Sequence, residues 1–77
     1  MAEKTLSEAV HQAVAEYFVH MEDEEISELY EMVLKEVEAP LLARTLEHTG
    51  NNQSKAAAVL GLSRGTLRTK LRKYRLL

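Results

Sequence analysis

Apolar residues recur at helical spacing along almost the whole chain. Leu6, Ala9, Val10, Ala13, Val14, Tyr17, Phe18 and Met21 step by three and four, a single stripe that predicts a helix over about 6–21. Thr5-Leu6-Ser7-Glu8 reads as a capping box, in which the Thr5 hydroxyl and the Glu8 carboxylate take up the first free backbone N–H groups. Glu22-Asp23-Glu24-Glu25 follows as a solvated turn, its acids at the positive end of the next helix. It lacks the alternating oxygen ligands and the glycine of a metal loop. From Ile26 the apolar set widens. Ile26, Tyr30, Val33, Val37 and Leu41 line one face of a helix over about 25–48, while Leu29, Met32, Leu34 and Leu42 spill around it. A helix apolar over most of its circumference has to be covered on more than one side.

Pro40 lies inside that second pattern. It removes the hydrogen bond to the Glu36 carbonyl, at ~3 kcal/mol unless the helix bends. No turn residue follows before Leu46, so a kink at Pro40 is expected, with a break into two helices as the alternative. Thr49-Gly50-Asn51-Asn52 supplies a glycine-led stop. Beyond it, Asn52 caps a short helix with Ala56, Ala57 and Leu60 inward, and Gly61 ends it in the left-handed region. Leu62 plugs the gap, and Ser63 caps a last helix with Leu67, Leu71 and Tyr74 inward. Small alanines at the crossing and a glycine four residues after Ala57 are the signature of a helix-turn-helix.

These patterns predict an all-α chain of four helices. Residues 1–49 form dimerisation helices and residues 50–77 a helix-turn-helix. At 77 residues a single core supplies only roughly 3–5 kcal/mol, and with no Cys there is no disulfide to add to it. Oligomerisation is the remaining common support. The simplest second cover for the wide apolar helix is another copy of it. The expected homodimer has an intertwined four-helix core built on Val10, Val14, Tyr17, Phe18, Leu29, Tyr30, Val33, Val37 and Leu41.

Charge adds the function. Residues 1–49 hold 12 acidic side chains against 3 Lys and Arg, whereas residues 50–77 hold 7 Lys and Arg and no acid. The net charge of −2 conceals a cationic C-terminal third suited to a polyanion. With Leu67 and Leu71 turned inward, Gly65, Thr66, Thr69, Arg72 and Lys73 fall on the far side of the last helix. Arg64 and Arg68 flank that face on one side and Lys70 on the other. Arg suits bidentate contact with guanine, and Thr and Ser suit phosphate. A membrane-binding helix needs bulky apolar residues facing lipid, and here the fold uses them. Double-stranded DNA is the partner this face fits.

At this point the residues resemble the Fis family, the bacterial factor for inversion stimulation, which is nucleoid-associated and bends DNA. The resemblance covers residues 6–77. It rests on Glu36-Val37-Glu38-Ala39-Pro40-Leu41-Leu42, on Gly50 through Gln53, on Arg64-Gly65-Thr66-Leu67-Arg68 and on Lys70-Leu71-Arg72-Lys73-Tyr74. It implies an all-α homodimer, a second helix kinked at Pro40, and paired recognition helices closer than one DNA turn, so that the duplex must bend. It further implies base reading by Arg64 and Arg68, with Ser63 where Asn is usual. Phosphate contacts are implied for Asn52, Ser54, Thr66, Lys70, Arg72 and Lys73, with Thr69 standing where Lys is usual. RNA polymerase or another transcription protein is a further candidate partner. Some members carry an N-terminal hairpin arm that activates an invertase. Only five residues precede Leu6 here, so no recombinase stimulation is expected.

Other readings are weaker. His11, His20 and His48 are dispersed, so no metal is expected. Tyr17, Phe18, Tyr30 and Tyr74 sit on apolar stripes, as core residues rather than stacking platforms. Asp23 is the sole Asp, and neither a Gly-rich phosphate loop nor a nucleophile–base pair occurs, so no enzyme and no cofactor are expected. No apolar run nears the ~20 residues of a membrane span and Met1-Ala2-Glu3-Lys4 lacks a signal-peptide shape, so a cytoplasmic location is expected, which the resemblance narrows to the bacterial nucleoid. Two alternatives stand beside the Fis-like regulator. One is the C-terminal domain of an NtrC-type activator, which a capped helix directly after Met1 disfavours. The other is a helical protein-interaction module, which predicts a monomer.

Overall fold

Four helices follow one another as α1 (Leu6–His20), α2 (Leu29–His48), α3 (Gln53–Leu60) and α4 (Arg64–Lys73). The computed structural model describes residues 4–77, and no strand occurs among the described residues. The fold is all-α. The expectation about an N-terminal arm falls partly on residues 1–3, outside the described residues.

Each boundary has a local cause. Thr5 Oγ1 accepts from the Glu8 N–H at 3.1 Å, which starts α1. The Glu8 carboxylate takes the Thr5 hydroxyl, at 3.1 Å, so only half of the expected capping box forms. The second helix begins at Leu29, not near residue 25. Glu28 stands in front of it at φ 58, a left-handed backbone that cannot continue into a right-handed helix. The chain changes direction there, and this costs the helix its expected first turn. Glu22-Asp23-Glu24-Glu25 is an exposed turn ahead of that bend, and Glu31 is the acid in the first turn of α2. The helix then passes through Pro40 without a break for 20 residues, which removes the two-helix alternative.

Below Pro40 the turns are tight. Gly50 and Asn51 both take positive φ, and the Asn51 N–H closes on the Leu46 carbonyl at 2.8 Å, as in a Schellman ending. The Asn52 side chain accepts from the Lys55 N–H at 3.0 Å and starts α3. Gly61 (φ 74) ends it, and the Leu62 N–H returns to the Ala57 carbonyl at 2.9 Å.

One core results, and it sits at the C-terminal end. Leu42 and Leu46 of α2, Ala56 and Ala57 of α3 and Leu67 and Leu71 of α4 are buried together, with Leu60, Tyr74 and Leu76 against them. Ala56 and Ala57 keep the three helices close, because a larger side chain there would hold them apart. No residue of α1 is buried. Val10, Val14, Tyr17, Leu29, Val33 and Val37 are half-buried and line an apolar groove shared by α1 and α2. Phe18, Leu41 and Tyr30 are exposed, Tyr30 by 76%. The radius of gyration is 15.3 Å. A compact chain of this length has about 11–12 Å. A single chain therefore closes its C-terminal half and leaves its N-terminal half open.

Candidate nucleic-acid interface

The outward face of α4 is held in place by its buried one. Leu67 and Leu71 are fully buried, one turn apart, and this fixes the rotation of the helix. Arg64, Gly65, Thr66, Thr69, Arg72 and Lys73 are consequently exposed, while Arg68 and Lys70 are half-buried at the margins. Gly65 has open space around its Cα, so the backbone of the first turn is accessible to a large partner. Asn52 and Ser54 lie exposed at the start of α3.

The hydroxyls are already organised. Ser63 Oγ accepts from the Thr66 N–H at 3.1 Å and bonds Thr66 Oγ1 at 2.8 Å. With Ser63 donating in that second bond, the Thr66 hydroxyl keeps its own proton for another acceptor. Thr69 differs. Its hydroxyl donates to the Gly65 carbonyl at 3.0 Å and has no second proton to offer.

The cations of α4 fall into three groups. Arg64 and Arg72 make no ion pair among the described residues. Lys70 and Lys73 both meet acids of α2. Lys73 Nζ is 3.6 Å from Glu31, with both side chains more than half exposed, a pair of little energetic weight. Lys70 Nζ is 2.8 Å from Glu38 Oε2, and the Tyr74 hydroxyl donates to Glu38 Oε1 at 2.5 Å. Glu38 is only 15% exposed, and both its oxygens are occupied. The bond from Lys70, then that from Tyr74, holds its carboxyl below the ordinary 4.5. The same bond to Glu38 pushes the Tyr74 hydroxyl up to about 12. Arg68 is held differently, by the neutral side chain of Gln53, whose Oε1 accepts from Arg68 Nη1 at 3.1 Å.

Residue-by-residue reading of the sequence overlooked Glu38, Glu31 and Gln53. Glu38 left a trace: it stands four residues before Leu42 and eight before Leu46, in register with the buried row of α2. An acid in that row needs a partner. Nothing in the sequence marks Gln53 or Glu31 in the same way.

The residues expected at a dimer core and those expected at DNA are not brought together. The first run along α1 and α2 from Val10 to Leu41, and the second lie at the start of α3, in the turn after it and on α4. Among the described residues no helix is long and apolar enough to cross a membrane.

Comparison with known proteins agrees with this geometry. Residues 33–74 match the model of the family described as "Bacterial regulatory protein, Fis family". That span holds most of α2, both helices of the helix-turn-helix and the Glu38 junction. A protein of Pseudomonas aeruginosa named as Fis-like and DNA-binding is 50% identical over 74 residues, covering 96% of this chain and 71% of its own length. The match runs through the open N-terminal half as well as the cationic end, and the chain belongs to the Fis family of bacterial regulatory proteins.

Proposed function

We propose that the chain acts as a homodimer that binds and bends duplex DNA, as a nucleoid-associated transcription regulator of low sequence stringency in the bacterial cytoplasm. The division of its surface carries this reading. The cationic face lies on α4, which carries no acid of its own, while the apolar residues of α1 and the first half of α2 are exposed or only half-buried. A second copy burying Val10, Val14, Tyr17, Phe18, Leu29, Tyr30, Val33, Val37 and Leu41 supplies the missing core of residues 1–49 and presents two α4 helices on one particle. Residues 50–77 are then the DNA-binding segment. A bend of α2 at Pro40 sets how the two segments meet.

In this reading Arg64 and Arg68, with Ser63, face base edges. Asn52, Ser54, Thr66, Arg72 and Lys73 hold phosphate. Thr69 and Lys70 join them only by exchanging their present partners, the Gly65 carbonyl and Glu38. Contacts with RNA polymerase or other transcription proteins would follow from binding near promoters.

Sedimentation together with gel shifts on circularly permuted fragments tests the proposal. A mass of two chains and a mobility that varies with the position of the site are expected. A single-chain mass removes the dimer, permutation-independent mobility removes the bending, and absence of any shift at low salt removes the whole.

A further inference from the structure

We infer that Gln53 is the positioning residue that makes Arg68 selective for a base. The inference rests on the DNA-binding function proposed above. Gln53 opens α3 directly after the Asn52 cap, and the bond from Arg68 Nη1 to its Oε1 spans 15 residues of sequence. Among the described residues this is the one side-chain hydrogen bond between α3 and α4. An unanchored Arg samples many rotamers and contacts phosphate as readily as a base edge. One N–H tied to a fixed acceptor restricts the fork before DNA arrives and leaves its remaining donors for the partner.

The chemistry of the anchor is the second argument. The cations held by α2 meet carboxylates, Lys70 at Glu38 and Lys73 at Glu31, and part of their charge is neutralised there. Arg68 meets an amide. An amide oxygen directs a guanidinium without cancelling its charge, so Arg68 stays fully available to a polyanion while its direction is set. Residues 50–77 contain no acid that could do this instead. Both side chains are half-buried, which leaves the pair at the rim of the interface rather than in the core.

The test compares wild type, Gln53→Met, Gln53→Glu, Arg68→Ala and the double variant Q53M/R68A. Binding is measured on a duplex selected from a randomised library by wild type, and on its single-base substitutions. Gln53→Met matches the side chain in length and lacks the acceptor. It is expected to lower discrimination by about fivefold at one base pair, leaving affinity for unselected DNA within about twofold. Gln53→Glu restores an acceptor and should recover the discrimination, with weaker binding to all sequences because the new charge opposes phosphate. In the Arg68→Ala background, Gln53→Met should change nothing further. A Gln53→Met protein with wild-type helix content and unaltered discrimination overturns the inference. So does an equal loss with and without Arg68. Wild type that selects no sequence from the library removes the function beneath it as well.

Discussion

Glu38 and Lys70 meet at 2.8 Å across 32 positions of sequence and join α2 to α4 ahead of the shared leucine core. The same carboxylate takes the Tyr74 hydroxyl, so one acid fixes two points on the C-terminal third. The angle between α2 and α4 consequently depends on a polar junction as well as on packing.

Replacing Glu38 by Gln keeps the shape and removes the charge. Lys70 is 31% exposed and can reach water, so the cost is that of a charge-assisted hydrogen bond, about 1.5–3 kcal/mol. Urea unfolding at one fixed protein concentration measures it. A variant as stable as wild type would show the junction to be incidental.

The junction also predicts a pH profile. The Glu38 carboxyl lies below its ordinary value in the folded chain, so its contribution is present above pH 4.5 and is lost as pH falls through the lowered value. The Tyr74 hydroxyl is raised to about 12, so its contribution is present below 10 and is lost as pH climbs through about 12. Tyr74 should ionise late in an ultraviolet titration, and Tyr74→Phe should abolish that step. Glu38→Gln should bring it back toward 10.

In the proposed dimer Arg72 and Lys73 neutralise two phosphates per subunit, four in all, and a slope of log K against log salt of roughly −4 is expected. Arg72→Ala removes one contact in each subunit and should flatten the slope by about 2. Lys70→Met should alter it less and lower stability instead, because its ammonium already has a carboxylate partner. A Lys70→Met slope change as large as that of Arg72→Ala would show that Lys70 leaves Glu38 when DNA binds.

Arg64 stands exposed in the first turn of α4 beside open Gly65. Arg64→Ala is expected to reduce discrimination between sites by about 1–3 kcal/mol, whereas Lys73→Ala should weaken all sites alike. Equal loss of discrimination in the two variants would reassign base reading away from Arg64.

Leu67 is fully buried among a core of six side chains, so little around it can close a gap. Leu67→Ala should cost ~2–5 kcal/mol, comparable to what so small a core supplies. Helix content and DNA binding should then fall at the same urea concentration. DNA binding that outlasts the helical signal would separate the interface from this core.

Much of the architecture is legible from local chemistry. Thr5, Asn52 and Ser63 cap their helices through the backbone N–H three residues on, and Gly61 turns left-handed after Ala57. Those outcomes depend on neighbours in sequence, so periodicity and turn residues suffice to place them. The outward set on α4 follows as directly, since fixing Leu67 and Leu71 inward decides where Arg64, Thr66 and Arg72 point.

What sequence did not decide depends on residues far apart in the chain. The start of α2 at Leu29 is set by a left-handed Glu28 that no propensity favours, where the chain changes direction. The division of the cations into free, amide-held and carboxylate-held groups required α2, α3 and α4 to come together in space. Charge counting separates residues 1–49 from 50–77, yet folding returns Glu31 and Glu38 of the first part to Lys73 and Lys70 of the second. A net charge is additive along the chain, whereas a hydrogen bond needs its two atoms about 3 Å apart. The packing of Leu42, Leu46, Ala57 and Leu71 brings those atoms within reach.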